Sequence, residues 1–208
     1  MTASRISALL QDDARRAGAV QFSADKTVRI ENDRLSLENA RLRRQIMDLE
    51  CAADTDPLVS VYNRRAFMRE LSRAQAVHMR YDIPSSLIFF DLNGFKSIND
   101  RFGHAIGDEL LQKVGQALSQ GVRDCDMVAR LGGDEFGVLL FKADAAIAKA
   151  KAATLSCRIS EQVIEHPTGN IGISTAWGVA PCETGNTPRQ ILSRADRAMY
   201  FAKQSYAE

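Results

Sequence analysis

The sequence predicts a mixed α/β domain, a central and mostly antiparallel sheet flanked by helices, preceded by an N-terminal helical coiled coil. Three observations carry that prediction. Short apolar runs of strand length alternate with longer amphipathic segments through most of the chain. Two of the runs, MVARL and EFGVLLF, are joined at Gly132-Gly133-Asp134, a hairpin signal that argues against a doubly wound parallel sheet. Upstream, the pattern Glu-Asn-x-Arg-Leu occurs twice, at Glu31–Leu35 and Glu38–Leu42, with an offset of seven.

Residues 1–27 form an N-terminal segment without an assigned role. Ile6, Leu9, Leu10 and Ala14 share one helical face and Gly18 can end it, which fits either a docking helix or a loosely ordered tail. Residues 28–53 read as a parallel, dimeric coiled coil. Val28, Leu35, Leu42 and Leu49 repeat at heptad spacing and take position d, so position a falls on Asn32, Asn39, Ile46 and Ala53. The apolar stripe is narrower than that of a helix lying on a globular core. Asn at a costs stability but selects register and a two-stranded state, and Glu38 and Arg43 stand at the g and e positions that meet across such a dimer. Asp54-Thr55-Asp56-Pro57 ends the helix, reads as a hinge, and opens a domain over residues 54–208.

Within that domain Asn63 to Tyr81 is an amphipathic helix with Phe67, Leu71, Ala74 and Tyr81 on its apolar side, and Ser85 to Leu92 is a buried strand. A second helix runs from Asp108 to Val122, the hairpin strands follow, and an alanine-rich helix covers Ala143 to Val163. A strand over Ile171 to Val179 and a helix from Arg189 to Lys203 complete the order.

Composition narrows the classes of function. With 27 basic and 26 acidic residues the net charge is +1, so no charge excess argues for a nucleic-acid or anionic-membrane partner. Cys51, Cys125, Cys157 and Cys182 show no CxxC spacing, as expected of reduced thiols. Charges interrupt the N-terminal apolar positions, and no run is long enough to span a bilayer. The expectation is a soluble, cytoplasmic protein without membrane contact.

Two acidic positions stand where strands end: Asp91 after the run LIFF, and Asp134 with Glu135 in the hairpin. An isolated Asp-Glu in a turn is usually just a solvated turn. Carboxylates ending buried strands are costly without a partner, however. If the strands are neighbours, the acids converge into an oxygen-ligand set suited to Mg²⁺, which takes one or two carboxylates and completes its shell with water and substrate phosphates.

Four motifs lift this above a turn. DLNGFKSINDRFGHAIGDELL, Asp91 to Leu111, and RLGGDEFGVLL, Arg130 to Leu140, together with DPLVSVYNRRAF, Asp56 to Phe67, and ADRAMYFAK, Ala195 to Lys203, resemble the GGDEF family of diguanylate cyclases in order and spacing over about residues 54–204. The resemblance implies a polymerase-palm-like fold and the condensation of two GTP into cyclic di-GMP with release of two pyrophosphates. It implies Mg²⁺, with Mn²⁺ as an alternative, held by Asp91, Asp134, Glu135 and the backbone carbonyl of Leu92. Asp134 and Glu135 would be the catalytic acids, with Asp134 the proton acceptor. Asn99, His104 and Asp108 match the guanine-binding positions, where a carboxylate and an amide read the donors of guanine and reject adenine. His104 fits equally well as a packing residue in a turn between two helices. Phe95 and Lys96 would form the phosphate loop, and Lys203 would reach the phosphates as a point charge.

Nine residues before Gly132 stands Arg123, and Arg123-x-x-Asp126 matches the family's product-inhibition motif, with Arg suited to a product phosphate and Asp to guanine. Three departures accompany these matches. Leu58-Val59-Ser60-Val61 replaces the usual Leu-Thr-Gly-Leu, Asn93 replaces a second Asp, and Tyr206-Ala207 stand in place of a Gly-Arg pair. The expected function is a homodimeric diguanylate cyclase with cyclic di-GMP feedback. The alternative is a catalytically weak domain that binds GTP or cyclic di-GMP and signals through its coil.

Overall fold

The computed structural model of the chain describes residues 31–45, 54–183 and 185–205. The chain divides into two units, residues 1–53 and residues 54–208. In the first unit residues 31–45 are helical throughout and make helix α1. Leu35 and Leu42, one heptad apart, are each about half exposed, at 48% and 49%. Asn39 donates from its amide to the Leu35 carbonyl one turn back. Segment 1–27, the d positions Val28 and Leu49, the a positions Ile46 and Ala53, and Tyr206-Ala207 lie outside the described residues.

The second unit runs β1 (Tyr62–Asn63), α2 (Arg64–Tyr81), β2 (Ser85–Leu92), α3 (Phe95–Phe102), α4 (His104–Gln120), β3 (Met127–Gly132), β4 (Glu135–Phe141), α5 (Ala145–Ser160), β5 (Val163–Ile164), β6 (Ile171–Gly172), β7 (Thr175–Pro181) and α6 (Pro188–Ser205). Five strands form one sheet in the order β1-β3-β4-β2-β7. The β1-β3 pair is parallel and the other pairs are antiparallel, as the central hairpin requires. β5 and β6 make a separate two-stranded ribbon.

β2 is buried on both faces because helices cover both. Ile88, Phe90 and Leu92 face one core layer with α4 and α5, through Leu110, Leu111, Val114, Leu118 and Leu155. Leu87 and Phe89 face the other, with Phe67 and Leu71 of α2 and Ile191 and Ala195 of α6. Alternation along one strand therefore assigns odd residues, Asp91 included, to the α2–α6 side. A close backbone approach lies there. A Cβ placed on Gly178 of β7 would stand 2.1 Å from the Ala195 carbonyl oxygen and 2.3 Å from the Met199 nitrogen. Only glycine admits the α6 backbone so close, and Lys203 follows Met199 by one turn on the same helix.

The segment expected to act as a hinge is instead fastened to the domain. The Asp56 carboxylate accepts the backbone N–H groups of Leu58 and Val59, both at 3.0 Å, and pairs with Arg130 at 3.4 Å. Asp54 pairs with Arg65 and Arg69, whose guanidiniums hold its carboxyl below the ordinary range. Thr55 bridges to Tyr62. Within residues 54–63 the chain is a clamped turn.

That turn places Ser60 at φ +56°, the left-handed region that glycine adopts without strain. Val59 and Val61 on either side are buried, with Val59 against Gly115 of α4, so the turn has no room to relax. Ser60→Gly is expected to raise the urea midpoint with an unchanged slope, a gain of about 1 kcal/mol or less after the added freedom of glycine in the unfolded chain is discounted. An unchanged or lowered midpoint would mean that the serine is unstrained.

Two sequence expectations are corrected. The single strand over 171–179 is two: β6 pairs with β5, the chain breaks at Ile173-Ser174, and β7 pairs with β2. At the break Ser174 turns to Asn93, accepting its backbone N–H at 2.9 Å and its side-chain amide at 3.0 Å. Phe95 and Lys96 are not a loop; they open helix α3. Gly94, at φ +71°, makes the turn, and Phe95, Ile98 and Phe102 pack on the core at helical spacing.

Candidate active site

β2 and β4 are neighbours, and their register sets Asp91 opposite Glu135. The ladder continues one step beyond, with the Leu92 N–H donating to the Asp134 carbonyl at 3.3 Å. Asp91, Asp134 and Glu135 thus stand at one end of the sheet. Thr175 steadies the Asp91 backbone by donating to its carbonyl at 2.9 Å.

The hairpin carrying Asp134 is gripped by two arginines that sequence reading passed over. Arg130 donates from Nε and Nη2 to the Gly133 carbonyl at 3.0 and 2.8 Å while its Nη1 meets Asp56. Arg64 donates to the Leu131 carbonyl at 3.1 Å. Both stood in recognised motifs, but nothing local in the sequence says that a guanidinium closes a turn made elsewhere.

Burial dominates the electrostatics at this end. Glu135 has its carboxyl pushed up, first by burial, with Arg64 opposing and the charges of Asp196, Asp134 and Asp91 adding to the rise. Lys203, brought by α6, forms an ion pair with Asp91. A folded-state value above the unfolded one favours the protonated carboxyl, so this group penalises the fold once pH rises through its folded range. Glu135→Gln is therefore expected to raise the thermal midpoint at neutral pH without added divalent cation. The gain should close as pH falls and the carboxyl becomes protonated in both states. A gain that persists in acid would contradict the assignment.

A cavity of about 770 Å³ opens beside Glu135 on the α2–α6 side, lined among others by Arg64, Arg189 and Asp196. Among the described residues no three His, Cys, Asp or Glu side chains form a group able to hold a metal ion by themselves. Carboxylates and a backbone carbonyl are the oxygen donor types that Mg²⁺ takes, its shell completed by substrate phosphate oxygens and water. A bound cation would offset the smaller share of the rise that Asp196, Asp134 and Asp91 contribute at Glu135.

On the opposite face of the sheet, α3 and α4 meet at Gly103, whose φ of +87° turns the chain and whose N–H caps α3 on the Asn99 carbonyl. His104 and Asp108 are exposed one turn apart at the start of α4. The Asn99 side-chain oxygen is buried and accepts no hydrogen bond. A buried acceptor left so costs about 1–3 kcal/mol. The first N–H groups of α3, those of Phe95 and Lys96 among them, have no acceptor within their own helix and follow Asp91 by four and five residues in the chain.

Arg123 and Asp126 lie at the far end of β3, about 20 Å along the strand from the hairpin turn. The Asp126 carboxylate accepts the N–H groups of Arg123 and Phe141, both at 3.1 Å, and so closes the turn, while the Arg123 side chain is exposed. The sheet therefore brings together Asp91, Leu92, Asp134, Glu135 and Lys203, holds Asn99 and Asp108 on the neighbouring helices, and keeps the Arg-x-x-Asp pair apart. Among the described cysteines Cys125 and Cys157 are exposed thiols, and burial pushes Cys182 up to about 12. No helix among the described residues is long and apolar enough to cross a membrane.

Comparison with known proteins agrees with this arrangement. The family model described as diguanylate cyclase, GGDEF domain, matches residues 53–208. The chain is 36% identical over 181 residues to the diguanylate cyclase TpbB of Pseudomonas aeruginosa, covering 83% of this chain and 40% of TpbB. It is 35% identical over 164 residues to the response regulator PleD of Caulobacter vibrioides, covering 74% of this chain and 34% of PleD. The chain thus spans well under half the length of these relatives. Among solved structures, the coiled coil and GGDEF domain of DgcB from Caulobacter crescentus, in complex with c-di-GMP, superposes with a TM-score of 0.74 at 26% identity, covering 82% of this chain and 91% of that one. The diguanylate cyclase SiaD of Pseudomonas aeruginosa, in complex with its activator SiaC, gives the same TM-score at 26% identity over 97% of this chain and 79% of SiaD.

Proposed function

The chain belongs to the GGDEF-domain diguanylate cyclase family, and from that premise we propose that it condenses two GTP molecules into cyclic di-GMP, releasing two pyrophosphates, as a homodimer joined through α1. The observation that carries the reading is the gathering of Asp91, Asp134 and Glu135 at the paired ends of β2 and β4. These carboxylates and the Leu92 carbonyl would hold Mg²⁺, or Mn²⁺ in its place. The bound ion supplies a lowered pKa at the attacking 3′-hydroxyl and neutralises charge on the phosphates.

The remaining steps belong to the chain. Asn99 and Asp108 seat guanine, with the exposed Asp108 carboxylate accepting from N1–H and N2–H. His104 opens α4 one turn before Asp108. The N–H groups that open α3 at Phe95 and Lys96 cradle phosphate oxygens, and Lys203 adds a positive charge from α6. Asp134 takes the proton of the 3′-hydroxyl as that oxygen bonds to the α-phosphorus of the second GTP and the bond to pyrophosphate breaks. Each protomer supplies one nucleotide, so two such bonds close the ring and two pyrophosphates leave.

A dimer is needed because one domain holds one nucleotide and the product contains two, joined head to tail. Leu35 and Leu42 offer a half-exposed stripe for this, and the match to a structure that contains a coiled coil covers a larger share of the chain than the domain alone. Product inhibition at Arg123 and Asp126 is supported by their separation from the acids and by the exposed guanidinium. The protein is read as cytoplasmic, with GTP and cyclic di-GMP as its small-molecule partners. Incubation with GTP and Mg²⁺ should yield cyclic di-GMP by chromatography. GTP bound but recovered unchanged would overturn the enzyme and support the receptor.

A further inference from the structure

The last rung between β2 and the acidic hairpin is only half made. Leu92 gives its N–H to the Asp134 carbonyl at 3.3 Å, but no bond returns from the Asp134 N–H to the Leu92 carbonyl. What directs that carbonyl lies on the other edge of β2, which runs between β4 and β7. A trans peptide sets its C=O and its N–H on opposite sides. The Leu92–Asn93 peptide gives its N–H to the Ser174 carbonyl at 2.9 Å, so the Leu92 oxygen is turned away from β7, toward the hairpin of Asp134. Ser174 adds a second tie, its hydroxyl accepting the Asn93 side-chain amide at 3.0 Å. The preceding peptide is held in the same way. Thr175 donates its hydroxyl to the Asp91 carbonyl at 2.9 Å, shared with the Ala176 carbonyl at 3.0 Å, while the N–H of that peptide is the one that goes to Asp134. Adjacent hydroxyls where β7 begins therefore fasten the two peptides on either side of Leu92.

We propose that Ser174 and Thr175 are positioning residues for the divalent cation: they fix the peptides flanking Leu92 so that its carbonyl oxygen is presented beside Asp134. The inference rests on the proposed metal-holding role of Asp91, Leu92 and Asp134. It goes further by assigning the aim of the carbonyl to side chains of a neighbouring strand. A backbone carbonyl has no rotamers of its own, so its direction comes from whatever holds its peptide plane. Hydrogen bonds that orient a ligand in this way govern metal affinity nearly as strongly as the ligands themselves. Two features otherwise without a role find one here. The break at Ile173-Ser174, in the stretch expected to be a single strand, is what turns Ser174 to Asn93. Asn93 stands where the family resemblance expects a second Asp, and its amide holds the serine without adding a negative charge two residues from Asp91.

The test compares Ser174→Ala and Thr175→Val with the hydroxyl-keeping variants Ser174→Thr and Thr175→Ser, all in the whole chain. Mn²⁺ is the probe, its binding counted from the paramagnetic resonance of the free ion beside 3′-deoxy-GTP, which lacks the attacking hydroxyl and is not consumed. Ser174→Ala and Thr175→Val should each lower Mn²⁺ affinity about tenfold, the scale for losing a bond that orients a ligand. Ser174→Thr and Thr175→Ser should keep the parental affinity. Asn93→Ala should match Ser174→Ala, and combining the two should add little, because both remove one bond. Ser174 is exposed, so its alanine variant should unfold at the parental urea midpoint and keep the comparison free of unfolding. Parental Mn²⁺ affinity in Ser174→Ala and Thr175→Val would overturn the inference and leave the metal reading standing. A loss shared by the hydroxyl-keeping variants would overturn it as well, since bulk and not the hydroxyl would then matter. A parent chain that binds no Mn²⁺ beside 3′-deoxy-GTP would overturn the metal reading and the inference with it.

Discussion

Asp91→Asn should abolish cyclic di-GMP formation, lowering turnover by about 10³-fold or more, while the protein stays folded and still binds the base. The carboxylate faces Glu135 across the β2-β4 ladder, and the amide that replaces it keeps shape and loses charge. If its share of holding the metal and neutralising the phosphates is worth about 4 kcal/mol in the transition state, the loss is about a thousandfold at 1.36 kcal/mol per decade. Stability should change little, by about 1 kcal/mol or less, because the Lys203 side chain that pairs with Asp91 is 42% exposed and partly screened. The proposed guanine readers, Asn99 and Asp108, lie on helices of the far face, so calorimetry should still find GTP binding. A variant that retains a tenth of parental turnover would remove Asp91 from the metal site.

Leu35→Lys combined with Leu42→Lys should leave each domain folded and make the chain monomeric. At low protein concentration, turnover should fall by about 10²-fold or more, because the second nucleotide then arrives only by collision instead of at the millimolar effective concentration of a linked partner. Raising the protein concentration should recover activity. Lysine at both positions keeps helix propensity and sets like charges opposite each other on the seam. Sedimentation showing a dimer for this variant would refute the coil, and a monomer with undiminished activity at low concentration would refute its contribution to catalysis.

Much of the domain was legible because its signals are local. The run Ser85–Leu92 is apolar, of strand length and bounded by polar residues, and the strand has those limits. The Gly-Gly-Asp turn announced the hairpin, and with it an antiparallel centre. Helix α3 was missed because its eight residues lie inside a motif rich in polar groups, and its three packed residues show periodicity only against a partner surface. The break at Ser174 was hidden for a related reason: Ile171 to Val179 holds no proline to mark it, and the chain turns there to answer Asn93, 81 residues earlier.

The site divides along the same line. The acids could be placed at strand ends from the sequence, but their convergence depended on which strands pair. Lys203 was tied to the site only by motif, since its partner Asp91 is 112 residues away. Arg130 and Arg64 hold the acidic hairpin through backbone carbonyls, contacts that carry no residue-specific signal. The unpaired oxygen of Asn99 and the space beneath it at Gly107 exist only once α3 and α4 are packed. The clamped turn at Asp56 likewise depends on Arg130, 74 residues further on.

The central claim is that paired acids on one sheet end drive a symmetric condensation between two copies of this chain. The most direct measurement counts pyrophosphate and cyclic di-GMP together in one reaction of the purified chain with GTP and Mg²⁺. The account predicts two pyrophosphates for every cyclic di-GMP, and neither product once the metal is chelated. Pyrophosphate without the cyclic product, or no turnover at any protein concentration, would contradict it.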